Sequence, residues 1–181
     1  MPVVFRRDRR GIAYADERSF DRDAHGVLWE RTPSQPGRGA AQFGKVHSLR
    51  QRLCMTGLRC QICGAPADRT PDGVLWLIDA HPGELLPVGE TTAHPPVCRP
   101  CAHLSSRACP HLRSQQVALR VRRFRPSGVR GALYLPGPTA PRLFDAQTLP
   151  LTDPRLPWLL GSQLLVHLIA YTPIELNDPT A

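Results

Sequence analysis

The sequence predicts a small α+β fold organised around a metal-binding cluster of cysteines, with a β-hairpin beside it and a helix closing the chain. Three observations carry this expectation. Cys60-Gln-Ile-Cys63 and Cys98-Arg-Pro-Cys101 repeat one two-residue spacing. Proline and glycine, 20 and 14 of the 181 residues, disfavour a bundle of long helices and suit short strands and turns. Apolar residues then alternate along 117–121 and crowd the stretch 159–169, which reads as strands followed by a buried helix.

With 41% apolar residues the chain can bury a core, and its length suits one ordinary domain or a smaller one with extensions. Three segments are expected. Residues 1–44 form a charged extension and linker, 45–112 a metal-binding module, and 113–181 a basic hairpin plus an apolar C-terminal helix packing on that module. In the first, Phe5, Tyr14, Phe20 and Trp29 could dock the extension as short strands, and the Pro- and Gly-bearing stretch 31–44 reads as a loop. Residues 45–56 fit an amphipathic helix with Val46, Leu49 and Leu53 on its inner face and Gly57 as its C-terminal cap. Val74–Ile78 reads as a strand, and a short helix follows Cys101. Val117–Phe124 and Val129–Leu135 read as two strands turned by Ser127-Gly128, with Val117, Leu119 and Val121 on one face and Arg120 and Arg122 on the other. Residues 136–152 read as irregular. Asp153-Pro154 then resembles a helix start, and the last helix runs to about Ala170. Trp158, Gln163 and His167 fall on it as core or partner contacts.

Six cysteines need a reason. The start, MPVVFRRDRRG, lacks the apolar stretch of a secretory signal, so a cytoplasmic protein without disulfides is expected. No run of eighteen apolar residues supports a membrane span. In each Cys-x-x-Cys the short gap lets both sulfurs reach one ion, and four thiolates complete a tetrahedral shell with no open position, the pattern of structural zinc. Gly64 stands where such a knuckle turn needs positive φ. The second pair opens a helix, whose unpaired amides favour thiolate. Knuckle, strand and ligand-bearing helix together describe a treble-clef arrangement of zinc-ribbon type, with Cys60, Cys63, Cys98 and Cys101 as ligands. A second metal on Cys54, His103, Cys109 and His111 is chemically conceivable, but the spacings favour a buried Cys54 and a helix-ending Cys109-Pro110.

The stretch 45–107 resembles the zinc-bearing form of the HNH endonuclease fold. The parts are the 45–56 helix, Cys60-Gln-Ile-Cys63-Gly64, Asp79-Ala80-His81-Pro82, and Cys98-Arg-Pro-Cys101-Ala102-His103. The resemblance implies His81 as the general base that activates water and His103 as a ligand of a catalytic divalent ion, distinct from the zinc. The chain departs from the family in three places. Ala80 separates Asp79 from His81, Ala102 precedes His103, and the only asparagine is Asn177, far from the loop that orients the catalytic histidine. A base without its orienting partner is a poor one, so the expectation is a scaffold without the chemistry.

The formal charge is +8, and Lys45 is the only lysine among 23 basic residues. So strong an arginine bias is partly compositional, yet arginine attracts polyanions whatever its origin. Residues 113–130 carry six arginines and no acid, and Arg120, Arg122, Arg125 and Arg130 are the candidate phosphate contacts. No phosphate loop, nucleophile elbow or paired-carboxylate motif stands out. The sequence therefore points to a zinc-stabilised, non-catalytic accessory module that contacts a protein partner, through the Leu160–Leu168 helix, or nucleic acid. A divalent-metal-dependent HNH-type endonuclease is the alternative.

Overall fold

A computed structural model describes residues 2–33, 46–79, 90–108 and 116–176. Among them are nine strands and two α-helices, so sheet dominates and exceeds what a small ribbon-type core contains. The chain forms two compact units. One is Met1–Leu49 with Ser127–Leu164, and the other is Arg50–Pro126 with Leu165–Ala181.

The first unit begins with an antiparallel hairpin, β1 (Val3–Phe5) and β2 (Ile12–Tyr14), in which Phe5 faces Ile12. β3 (Leu28–Trp29) lies parallel to the start of β9 (Leu159–Ile174). Ile12, Tyr14 and Leu28 are buried together, with Val3, Tyr134, Trp158 and Leu160 packed against them. The Asp23 carboxylate accepts hydrogen bonds from the Trp29 indole N–H at 3.0 Å and the Val27 amide at 3.1 Å. Arg31 lies over the Tyr14 ring, 4.4 Å from its centroid, and pairs with Asp16 and the buried Asp21. Two of the four aromatics expected to anchor the extension, Tyr14 and Trp29, are thus core residues, while Phe20 is exposed.

The second unit holds most of α1 (Ser48–Thr56), the hairpin β4 (Arg69–Thr70) and β5 (Gly73–Ile78), the short β6 (Thr91–Thr92), and α2 (Arg99–Ala108). β5 pairs antiparallel with the start of β7 (Val117–Leu135), Val74 opposite Val121 and Ile78 opposite Val117. β6 pairs antiparallel with β9 at Val166 and His167. Cys60, Leu75, Leu77, Val97, Cys101, Ala102 and Ala118 form one buried cluster, against which Ile174 and Leu176 pack.

Three expectations fail. The C-terminal helix is instead a 3-10 turn, Leu156–Trp158, followed by the long strand β9. Asp153 does cap a turn, its carboxylate accepting the Arg155 amide at 2.8 Å, but the apolar run beyond it carries no decisive period. Leu164, Leu165, Val166 and Leu168 are all buried, as in a strand covered on both faces. The Leu160–Leu168 docking helix therefore does not exist. The basic hairpin is absent too, because strand β7 continues through Ser127-Gly128 and pairs with β8 (Arg142–Pro150) from Gly128 to Leu135. Gly128 serves close strand approach rather than a turn: a side chain there would lie 2.7 Å from the Leu149 carbonyl oxygen. Residues 142–150, read as irregular, are that partner strand.

α1 forms as expected but with its faces exchanged. Val46, Leu49 and Leu53 are exposed, whereas Ser48, Gln51, Cys54 and Met55 are buried. Gln51 is tolerated there because a backbone carbonyl meets it, its amide nitrogen donating to Ala93 O at 2.8 Å, whereas the Ser48 hydroxyl has no hydrogen-bond partner among the described residues. The helix ends one residue later than a glycine cap predicts. Leu58, not Gly57, has the positive φ of 49°, and the Arg59 amide reaches back to Cys54 O at 2.9 Å in the six-to-one bond of a Schellman motif.

Candidate metal centre

Immediately after that motif the chain makes a tight loop. The Cys60 amide donates to Ala65 O at 2.7 Å and the Gly64 amide to Cys60 O at 2.8 Å, with Gly64 at φ +78°. The positive φ expected of Gly64 is present. Arg50, from α1, braces the loop by donating to Gln61 O at 3.1 Å and Ile62 O at 2.7 Å, and Arg59 donates to Gly64 O at 3.2 Å. These bonds fix where Cys60 and Cys63 point.

The second pair is held by β5. The Asp68 amide donates to Val97 O, the Val97 amide to Leu75 O and the Leu75 amide to Asp68 O, a closed ring of three bonds at 2.9–3.0 Å. Gln61 N–H to Pro96 O, at 3.1 Å, links the loop to the same segment. Cys98 then stands at the N-cap of α2. Its carbonyl accepts the first helical bond, from the Ala102 amide at 2.9 Å. Asp68 also pairs with Arg120 at 2.5 Å and lies 3.8 Å from Arg99, the first residue of α2.

These two supports bring the four sulfurs of Cys60, Cys63, Cys98 and Cys101 within 4.8 Å of one another. The Cys63–Cys98 separation is 3.7 Å. A tetrahedron with metal–sulfur bonds of about 2.3 Å has edges of about 3.8 Å, so the cluster has the dimensions of a four-thiolate shell and could hold a metal ion. Its electrostatics agree. Burial opposes ionisation of Cys60, but the amides of Cys63, Cys98 and Ile62 outweigh it and bring the thiol down to about 7. Cys98 and Cys101 go the other way, first through burial and then through the neighbouring sulfurs. One thiolate forms readily and the next are opposed, an imbalance that a bound cation removes.

The remaining sequence candidates are scattered. Cys54 is buried with its sulfur 3.6 Å from Cys60 O, and neither it nor His103 joins a metal-ligating cluster among the described residues. His103 is buried on α2, and its Nε2 has no hydrogen-bond partner among the described residues. Asp79 is exposed just after β5. His81, Cys109 and His111 lie outside the described residues. Trp158 belongs to the 3-10 turn, and Gln163 and His167 belong to β9. Of the four candidate phosphate contacts, Arg122, Arg125 and Arg130 are exposed, but Arg120 is only 3% exposed and spends its guanidinium on Asp68. Alternation along one strand could not foresee that Asp68 would meet it. Sequence reasoning also missed Arg50 and Asp68 as supports, since nothing local marks residues whose partners are loop carbonyls or a distant strand.

No family model, curated protein or solved structure matches this chain. The likeness to HNH endonucleases therefore rests on the quoted residues alone. No helix among the described residues is long and apolar enough to cross a membrane.

Proposed function

We propose that the chain is a zinc-stabilised, non-catalytic binding module, with one zinc ion held by Cys60, Cys63, Cys98 and Cys101 in a treble-clef arrangement. The closed set of four sulfurs carries the reading: it fits a tetrahedral thiolate site and leaves no position for water or substrate. The order of parts supports it as well, with a knuckle, the β4–β5 hairpin and a helix whose N-terminus bears the second pair. When bound, zinc supplies cross-linking rather than chemistry. The cysteines would hold it, Arg50 and the Asp68–Leu75–Val97 ring orient them, and the apolar cluster around Cys60 and Cys101 shelters those two from water.

For the partner, the favoured surface is the stretch of β7 bearing Arg122, Arg123 and Arg125, which are exposed and have no carboxylate partner among the described residues. Its fit is to the phosphates of nucleic acid. A protein partner is the second reading, favoured by the exposed Leu49 and Leu53 on α1 and the exposed Val46 just before it.

Elemental analysis tests the metal and should find one zinc per chain, falling with stability in Cys63→Ser; less than about 0.2 zinc per chain ends the reading. Duplex binding followed against salt tests the partner. Three phosphate contacts give a log–log slope near −2.7, or about −0.9 each, and Arg122→Glu with Arg123→Glu should flatten it. Equal binding by both proteins at low salt removes nucleic acid in favour of a protein. Mg²⁺-dependent plasmid nicking that is lost in His81→Ala would overturn the non-catalytic reading.

A further inference from the structure

We propose that Cys63 is a site of oxidative modification by peroxide and that Cys98 resolves it as a disulfide, releasing the metal. This rests on the zinc reading above. The four sulfurs of the cluster differ in access: Cys63 is exposed, Cys98 partly so, and Cys60 and Cys101 are buried. The sulfur that an oxidant in solution reaches is therefore that of Cys63. Its 3.7 Å separation from Cys98 exceeds a disulfide bond of about 2.05 Å by about 1.7 Å, within the reach of side-chain rotation. Cys98 is also held in place, its carbonyl accepting the Ala102 amide at 2.9 Å. The two residues sit on different elements, the 60–64 loop and the cap of α2. A bond between them would join covalently the same two parts that the metal joins.

The chemistry closes on peroxide alone. The Cys63 thiolate sulfur attacks one peroxide oxygen, the O–O bond breaks, and one oxygen leaves as hydroxide, giving a sulfenic acid. The Cys98 thiolate then attacks that sulfur; the S–S bond forms, the S–O bond breaks, and a second hydroxide departs. Two electrons pass from the sulfurs to the peroxide oxygens, and solvent protons turn both hydroxides into water. Cys60 and Cys101 remain as two ligands where four-coordinate zinc needs four. A small thiol reductant reverses the bond and restores the site.

The experiment treats the zinc-loaded full chain with one equivalent of hydrogen peroxide. Released zinc is read with a chromogenic chelator, and disulfides are mapped by mass spectrometry of non-reduced peptides. Zinc should leave in step with a Cys63–Cys98 disulfide, and dithiothreitol with added zinc should reverse both. Cys54→Ser, which lies outside the cluster, should behave like the parent. Without peroxide, iodoacetamide should label Cys63 at least about tenfold faster than Cys60, because Cys60 is buried and Cys63 exposed, and a thiolate must be reached before it can react. A dominant Cys60–Cys63 disulfide, or one that uses Cys54 or Cys109, overturns the proposal, as does equal labelling of Cys60 and Cys63. Protein purified without zinc would instead defeat the metal reading, while the mapped disulfide still decides whether Cys63 and Cys98 are the reactive pair.

Discussion

Asp68→Asn isolates one buried charge and measures what it holds. The asparagine keeps the size of the side chain and both backbone bonds, Asp68 N–H to Val97 O and Leu75 N–H to Asp68 O. It removes only the negative charge facing Arg120, whose side chain is 4% exposed. Breaking a buried ion pair by neutralising one partner costs about 3–5 kcal/mol. Two features reduce that here. Arg120 keeps the Asp68 and Gly73 carbonyls, each at 3.4 Å, and the Asp68 side chain is 25% exposed to water. The expected loss is therefore about 2–3 kcal/mol, or about 4–12 °C in Tm for a chain of this length. Urea denaturation at fixed zinc concentration reads it. The companion double variant, Asp68→Asn with Arg120→Met, leaves no buried unpaired charge, since Arg99, the other cation near Asp68, is exposed to water, and should recover most of the loss. A single variant within about 0.5 kcal/mol of the parent, or a double variant worse than the single, would refute the reasoning.

Other outcomes follow from the same geometry. Gly131→Ala should destabilise by about 3 kcal/mol or more in urea denaturation, because its Cβ would press on the Leu160 carbonyl oxygen and lie 2.8 Å from the carbonyl carbon, both backbone atoms that cannot step aside. Leu58→Gly should be neutral or raise stability by up to about 1 kcal/mol, since the left-handed residue that ends α1 carries a side chain; a loss of Tm would show that packing of the Leu58 side chain matters more. Asp21 is held below the usual carboxylate range, first by its hydrogen bond with Arg31. A depressed carboxylate stabilises above its unfolded value of 3.8 and loses that contribution as pH falls through its lower folded value. Asp21→Asn should therefore be less stable at pH 6 and show a flatter acid limb below pH 4 in thermal melts.

The legible parts of this fold are local ones. Cys60-Gln-Ile-Cys63-Gly64 dictates its own loop, and Cys98-Arg-Pro-Cys101 its own helix start, because a two-residue spacing and one positive φ leave little choice. What stayed hidden depends on neighbours far along the chain. Leu164 to Leu168 are apolar enough for either a buried helix or a doubly covered strand, and pairing with β6 at Val166 and His167 favours the strand. Ser127-Gly128 carries turn chemistry, but it lies in an extended strand that pairs with β5 before it and β8 from Gly128 on. The inner face of α1 was misread because burial of Gln51 depends on Ala93 O, 42 positions away.

Ile174 and Leu176 pack against the cluster that contains Cys60 and Cys101, which sets an order of events in time. All four cysteines have been synthesised once residue 101 is added, yet Ile174 and Leu176, which pack on the cluster of Cys60 and Cys101, come about seventy residues later. At about 5–20 residues per second, that interval lasts roughly 4–15 s. A nascent chain that captures its ion during those seconds keeps the four thiols occupied while they are least sheltered. One that emerges where zinc is scarce offers bare cysteines to any oxidant or passing thiol before β9 is complete. In the finished molecule Cys63 is the exposed thiol, whereas during manufacture Cys60 and Cys101 are open to oxidants as well, so metal supply at the ribosome would bear on how much of the chain ends up folded.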